Sequence, residues 1–243
     1  MKIDQLLNKY DLGERNFQSI CLREVDLTEV NLPKINFESA DIRQSRLGKS
    51  NFNGAILKQA DLSESIIWGT NLENTNLSKA ILRDTDLSGA ELTNADLTNA
   101  YLSKASLCGA NLAKANLSHA VLYEVDLRPL SNRRTNLGRA NLSSTDLSYA
   151  KLSSALLFRA NLSGAKLCRA ELNQDPYKFP FLTDLTEANL QGADLSYADL
   201  GNAILVNANL KNADLTGTNL KGANLQGAIM PDGNTYKSLN FNK

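Results

Sequence analysis

The chain has 243 residues, with 26 basic and 26 acidic side chains and few aromatic ones. A formal net charge of zero disfavours non-specific nucleic-acid binding, which depends on a basic excess, and equally disfavours a uniformly acidic surface that would imitate DNA. No apolar run approaches the ~20 residues of a membrane span, and the N-terminus has no apolar signal-peptide core. The sequence therefore predicts a cytoplasmic protein that binds neither membranes nor nucleic acid.

The N-terminal segment, residues 1–11, differs from everything that follows it. Ile3, Leu6, Leu7 and Tyr10 fall at helical spacing, which predicts one short amphipathic helix. The segment precedes a long repeat array, and the exposed end of such an array needs a cap. We therefore expect this helix to cover the first repeats.

A five-residue period begins at Leu12 and runs without a slip to Leu127. A helix would spread leucines at this spacing around its whole circumference, since it turns about 100° per residue, and an alternating strand fits no better. On an extended segment, however, residues two apart point the same way. The leucine (position i) and the small residue at i−2 can thus share an inward face, which predicts a single all-β solenoid over residues 12–230.

The residue at i+2 defines the corners of this solenoid. Glycine or asparagine stands there in many repeats, and both residue types suit the positive φ of a type II turn. Other repeats place lysine, glutamate or His119 at i+2. We therefore expect corners of mixed type.

The first break in the period is the irregular segment 128–136, where Asn132 replaces the expected leucine. Leu137 nevertheless resumes in register. Asn132 is either turned outward in a bulge or buried with hydrogen-bond partners, and Pro129 together with the neighbouring arginines favours the bulge.

The second break, at 173–184, loses the register, and the period restarts three residues out of phase at Leu185. Two prolines and three aromatic residues predict a loop that projects from the stack. We expect this loop to fold one of its aromatic side chains against the solenoid, the candidates being Tyr177, Phe179 and Phe181. Residues 231–243 lack the period and are expected to form a C-terminal tail.

The repeat A(D/N)Lxx, which covers about nine-tenths of the chain, resembles the pentapeptide-repeat family. The resemblance implies a right-handed quadrilateral β-helix with four pentapeptides to a coil. About ten coils would then span roughly 50 Å at the strand separation of ~4.8 Å. In such a stack Cys21, Cys108 and Cys168 are too far apart to form disulfides, so free thiols are expected.

Irregular motifs narrow the resemblance, because a regular repeat cannot generate them. RLGKSNF at 46–52 and DLRPLSNRRT at 126–135 resemble the pentapeptide-repeat regulators of heterocyst differentiation in cyanobacteria. That resemblance implies a monomeric, non-enzymatic protein that contacts the differentiation regulator HetR or a partner in its pathway. A DNA-mimicking inhibitor of gyrase, a role found elsewhere in the family, is the alternative function, and a structural scaffold is a further one.

One candidate partner surface is apolar. With four repeats to a coil, Ile81, Tyr101 and Val121 stack vertically, and Tyr123 lies two residues beyond the last of them. Ile66 and Trp68 fall on the adjacent side. Exposed apolar patches mark partner sites, and Trp and Tyr are frequent binding anchors. The alternative is ordinary stacking of half-buried side chains between coils.

A second candidate surface is basic and surrounds the first break. It comprises Arg128, Arg133, Arg134 and Arg139, with Arg159 predicted one coil above Arg139. Arginine suits carboxylate recognition, although these side chains could equally form a solvated basic face. If the surface binds a partner, replacing Arg133 and Arg134 by Glu should remove binding and leave the fold intact.

No sequence motif supports catalysis. His119 is the single histidine and falls at a corner, where a solvated turn residue is the ordinary interpretation. The chain contains no phosphate-binding GxxxxGK[ST] loop, zinc-ligand spacing or nucleophile elbow. We therefore predict no enzyme activity, no cofactor and no metal site.

Overall fold

The protein is a four-sided coil stacked on itself. The computed structural model describes residues 2–131, 133–173 and 180–237. Isolated parallel β-bridges join residues at i−1 on successive coils from Asn16 to Ile229, in general 20 residues apart, as at Ile81 and Tyr101. Each coil therefore contains four pentapeptides, as the resemblance implied.

Four of the five backbone N–H groups of a regular repeat donate within the stack, and the fifth finds an acceptor where i−1 is Asp or Asn, which explains the A(D/N)Lxx pattern. The N–H groups of Leu107 and Gly109 donate to the coil above, at Asp126 O (2.8 Å) and Arg128 O (3.0 Å), and the N–H of Ser106 donates to the coil below. The N–H of Ala110 closes the corner on Leu107 O at 3.0 Å. The remaining N–H, at i+1, donates in many repeats to an Asp or Asn side chain at i−1, as Ser63 does to Asp61. These Asp and Asn side chains thus help to hold the corners.

The core is one apolar column along the axis. The central leucines and the alanines at i−2 are buried from Leu22 to Ala213, and in the last coil Leu215, Leu220 and Ala223 are half-buried. Where i−2 is Ser or Thr, the hydroxyl donates to a carbonyl of the preceding coil, as Thr70 does to Leu47 O at 2.7 Å. Near the N-terminus phenylalanine replaces leucine, and the rings of Phe17, Phe37 and Phe52 pack at centroid distances of 6.1 and 6.4 Å.

The corners are more uniform than the sequence predicted. The φ angle at i+2 is positive at every regular corner of the described chain, whether the residue is Gly89 (67°), Lys104 (61°) or His119 (59°). The expected mixture of corner types is therefore wrong as regards this angle. Its cause is the stack itself, because the i+2 N–H must point along the axis to reach the next coil, as that of Lys104 does at Tyr123 O.

The N-terminal helix α1, Ile3–Asp11, covers the first coil as predicted. Its inner face buries Leu6 and Tyr10 against the core. The Tyr10 hydroxyl donates to Pro33 O at 2.8 Å, and the Arg15 guanidinium lies 3.7 Å from the centre of the Tyr10 ring. The helix thereby joins the core at the end where no coil lies below.

Both breaks in the period lengthen one coil without disturbing the sides around it. Across the 128–136 segment the separation of paired residues rises to 25, as between Asn116 and Asn141. Across the 173–184 loop it rises to 28, as between Asn161 and Asn189. The expected position of Asn132 lies outside the described residues, as do those of Tyr177 and Phe179, whereas Phe181 is described.

Candidate interaction surfaces

The predicted apolar column is present. Ile81, Tyr101 and Val121 are joined by parallel bridges on three successive coils. The side chain of Tyr101 is 52% exposed and that of Ile81 is 36% exposed, while Val121 is half-buried. Open depressions of ≈ 700 and ≈ 350 Å³ flank the Ile81–Tyr101 pair. A partner that covered this side would therefore bury apolar surface that is exposed in the isolated chain.

Tyr123 extends this column toward the next corner. It is half-buried, and its ring packs edge-on against that of Tyr149, with a centroid distance of 5.6 Å. Tyr149 is 45% exposed and lies on the coil above. The apolar column is thus continuous with an aromatic pair at the corner.

Ile66 and Trp68 lie on the adjacent side and its far corner, as expected, and both are exposed. The Trp68 ring lies over Gly48, where an added Cβ would come within 2.8 Å of the indole nitrogen. The Lys49 ammonium is 4.9 Å from the ring centre. Gly48 therefore provides the space that lets the indole lie flat against the corner.

Arg128 is held within the fold rather than presented to a partner. Its guanidinium pairs with Asp126 at 2.6 Å, with further contacts from Nε. Burial opposes ionisation of Asp126, but hydrogen bonds from the side chain and backbone of Arg128 outweigh it and lower the pKa of Asp126. The same hydrogen bond raises the pKa of Arg128. Nearby, burial raises the pKa of Cys108 to about 11, which keeps that thiol protonated and unreactive.

The 128–136 segment folds back along its corner, toward the N-terminal end. Leu130 and Arg133 form an antiparallel pair, and Leu130 packs over Gly89 and Gly109. Arg133 reaches down to an ion pair with Glu91, 42 residues earlier, and donates to Gly89 O at 3.3 Å. A Cβ on Gly109 would lie 2.7 Å from the Leu130 Cβ. The glycines at this corner thus make room for the segment.

Arg134 connects the two irregular parts of the chain. Its guanidinium donates to Ser154 O at 2.8 Å, to Ala155 O at 3.2 Å and to Leu182 O at 2.6 Å. It also lies 5.2 Å from the centre of the Phe181 ring, so Phe181 does fold against the solenoid. Burial lowers the pKa of Arg134. A carboxylate at this position would face three carbonyl oxygens, so we expect charge reversal at Arg134 to destabilise the fold rather than to leave it intact.

The remaining two arginines belong to a different corner. Arg159 lies one coil above Arg139, as predicted, one side away from the other three arginines. Arg159 pairs with Glu187 at 2.7 Å, which raises its pKa. Among the described residues, the side chain of Arg139 has no hydrogen-bond or ion-pair partner. The five arginines thus do not form one surface, and four of them form hydrogen bonds or ion pairs within the fold.

One cluster escaped prediction because the insertions hide it. Tyr149, Arg169 and Tyr197 occupy one corner on successive coils, but the last two are 28 residues apart rather than 20. Columns drawn at a constant spacing miss this alignment. Aligning the repeats on the two sides of the 173–184 loop, instead of counting a constant number of residues, would have revealed the cluster.

The described residues show no grouping of His, Cys, Asp and Glu that could hold a metal ion. His119 is exposed at its corner. Within the described ranges, no helix is long and apolar enough to cross a bilayer. The geometry therefore draws attention to the surfaces of the stack.

A sequence profile of pentapeptide repeats matches this chain in eight copies, over residues 20–59, 55–94, 90–128, 135–174, 182–202 and 193–230. The chain belongs to the pentapeptide-repeat family. No curated protein matches the sequence.

Among solved structures, the chain is similar to HetL from the cyanobacterium Nostoc sp. strain PCC 7120, described as a pentapeptide repeat protein involved in heterocyst differentiation regulation. The two are 53% identical with a TM-score of 0.96, over 97% of this chain and 100% of HetL. This likeness confirms the predicted right-handed quadrilateral β-helix with its N-terminal helix.

Other solved structures are more distantly similar. Rfr23 from Cyanothece 51142 is 28% identical over 51% of this chain and 94% of its own, with a TM-score of 0.42. QnrB1, a plasmid-mediated fluoroquinolone resistance protein, is 20% identical over 88% of this chain and 91% of its own, with a TM-score of 0.33.

Proposed function

We propose that this protein is a non-enzymatic interaction module that regulates heterocyst differentiation by contacting HetR or another protein of that pathway. The identity of 53% with HetL over nearly the whole chain supports the pathway. The observation that carries the mode of action is the exposed column of Ile81, Tyr101 and Val121. A stack whose interior is filled acts through its sides.

The column and Tyr123 form the centre of the proposed contact. Tyr101 offers a large, stiff apolar surface with a hydroxyl at its tip, which is the character of a binding anchor. Lys79 and Gln59 line one flank of the column, and Arg83 and Ser103 line the other. An apolar centre with a polar rim is the usual anatomy of a protein interface.

The arginines take a secondary place in this proposal. Arg133 is exposed and can contribute at the edge of a contact, whereas Arg139 is exposed on a corner that faces away from the column. The other three arginines contribute indirectly, because their contacts within the fold maintain the shape of the surface. They are Arg128, Arg134 and Arg159. HetR contact also requires this protein to occupy the cytoplasm, and we propose that it binds as a monomer.

A titration of purified HetR tests the proposal, with wild type and the double variant Ile81→Asp/Tyr101→Asp compared. Aspartate already stands in this column at Asp41 and Asp61, so the substitutions fit the fold. Ile56→Asp is the matched control, because it removes an exposed isoleucine at i−1 on another side, where Asp96 lies in the same column. We expect saturable binding by wild type and by the control, and at least tenfold weaker binding by the double variant, since anchor residues contribute about 2 kcal/mol or more.

Absence of binding by the wild-type protein would overturn the HetR contact. Equal affinities of the double variant and the control would remove the column from the interface. Light scattering on the same samples measures the mass of the complex. We expect a mass that corresponds to a 1:1 ratio of this protein to its partner.

A further inference from the structure

We propose that Tyr149, Arg169 and Tyr197, here called the tyrosine–arginine ridge, bind a carboxylate side chain on the surface of the partner protein. The inference rests on the proposed function, since it names the chemistry of the partner at the same contact. It adds a second anchor point, on the corner next to the apolar column.

The ridge is a continuous stack of side chains. The Arg169 guanidinium carbon lies 6.0 Å from the centre of the Tyr149 ring below it and 5.4 Å from that of Tyr197 above it. Tyr149 in turn contacts Tyr123, which joins the ridge to the apolar column. From Ile81 to Tyr197 the surface spans six coils and thus five steps of ~4.8 Å, or about 24 Å. That length suits one side of a standard interface, which covers about 800 Å² per partner.

Arg169 differs from the arginines of the first break in having its charge available. Within the described ranges no carboxylate lies within 4.0 Å of its guanidinium, whereas Arg128, Arg133 and Arg159 each have one. The tyrosine rings below and above restrict the Arg169 side chain. This arrangement fixes the side chain in advance for a bidentate carboxylate, which lowers the entropic cost of binding.

The two tyrosines are unusually open for residues of their size. Tyr149 is 45% exposed and Tyr197 is 58% exposed. Tyr197 keeps its position because Gly217 lies above it, where an added Cβ would come within 2.7 Å of the ring. Tyrosine and arginine are enriched at the centres of protein interfaces. The ridge therefore has the composition of a contact that the isolated chain leaves unoccupied.

The surroundings favour a protein carboxylate over a polyanion. The i−1 side chains of the same three coils, on the two sides that meet at the ridge, comprise four acidic and two basic residues. They are Asp146, Lys166, Asp194, Lys151, Glu171 and Asp199. An extended phosphate backbone would be repelled by this acidic surround. A single Asp or Glu within an otherwise uncharged patch would reach Arg169 without that repulsion.

The test measures affinity for purified HetR with Arg169→Glu, Arg169→Lys and the double variant Tyr149→Asn/Tyr197→Asn. The substitutions use residue types that the chain itself carries at positive φ, for example Glu187, Lys104 and Asn94. Arg139→Glu is the matched control, because Arg139 occupies the same i+2 position on the diagonally opposite corner. Unfolding midpoints verify that each variant keeps the fold.

We expect Arg169→Glu to weaken binding at least tenfold, and the control to bind within twofold of wild type. Arg169→Lys should lose several-fold, because lysine keeps the charge but cannot pair bidentately or stack on two rings. The double tyrosine variant should also lose several-fold.

Wild-type binding that Arg169→Glu leaves unchanged would overturn the ridge and leave the proposed function standing. Full affinity of Arg169→Lys would overturn the bidentate carboxylate contact. Absence of wild-type binding would overturn the proposed function and the ridge together.

Discussion

The regular coils and the 128–136 segment use arginine in opposite ways. In the regular coils the backbone satisfies itself through the stack, so an i+2 side chain such as Arg169 is free to face solvent. In the irregular segment, Arg128 pairs with a nearby carboxylate and Arg133 with a carboxylate distant in sequence. Arg134 donates hydrogen bonds to three carbonyl groups. Charged residues therefore cluster in the sequence of an irregular loop partly because the loop needs these side chains to stay folded. Among the regular coils some arginines form ion pairs, as Arg159 does, but others such as Arg169 have no carboxylate partner among the described residues.

The largest expected effect comes from the regular core. Leu107→Asp places a charge in a fully buried column position with no partner, which costs about 3–5 kcal/mol. We expect cooperative unfolding at a much lower urea concentration, followed by circular dichroism. Lys114→Asp, at an exposed corner of the next repeat, is the control, since Asp84 already occupies that kind of position. A wild-type midpoint for Leu107→Asp would refute the inward placement of the leucines.

Two neighbouring arginines separate structural from surface roles in the irregular segment. Arg134→Met removes three hydrogen bonds to carbonyl groups, although Ala155 O keeps the backbone N–H of Asp184 as a donor. We expect a loss of about 2 kcal/mol, since hydrogen bonds to charged groups contribute about 1.5–3 kcal/mol before solvent screening. Arg133→Met breaks an exposed ion pair and should cost less than about 1 kcal/mol. Equal losses in urea denaturation would show that the two guanidinium groups are equivalent after all. Charge reversal for binding studies therefore belongs at Arg133 alone.

Two glycines at one corner test how the segment is seated. Gly109→Ala and Gly89→Ala both force alanine into a positive φ, which costs about 1 kcal/mol. Only the Gly109 Cβ would collide with Leu130, at 2.7 Å against 3.8 Å for Gly89. Gly109→Ala should therefore cost about 1–3 kcal/mol more, the usual range for overpacking. Limited proteolysis at 128–136 should also accelerate in Gly109→Ala, and indistinguishable stabilities would place Leu130 elsewhere.

The smallest expected effect is a pH dependence. Because the folded state lowers the pKa of Asp126, ionised Asp126 stabilises the protein above its unfolded pKa of about 3.9, and this contribution disappears as pH falls through the lower folded value. Asp126→Asn should remove that part of the acid sensitivity. The melting temperature of the variant should thus fall less between pH 5 and pH 3 than that of wild type. Parallel pH profiles would show that Asp126 is not coupled to folding.

The repeat alone identified the central leucines, whereas the four-sided coil came from the family resemblance and led to the vertical alignment of Ile81, Tyr101 and Val121. These features depend on a period that recurs in every repeat, so an atypical residue in one repeat does not change the prediction for the others. The corners were predicted less well. Their φ is imposed by the hydrogen bond to the next coil, which is not a property of the residue at i+2.

What only the tertiary structure decided is which side chains meet across the insertions. The chain sequence places Arg133 near Arg134, yet one reaches Glu91 two coils below and the other reaches Leu182 above. It separates Arg169 from Tyr197 by 28 residues, yet the stack brings them into contact. A local pattern determines a coil because each repeat forms its own corner. The partners of a surface side chain lie on neighbouring coils, and coil length is fixed only when the whole stack has formed.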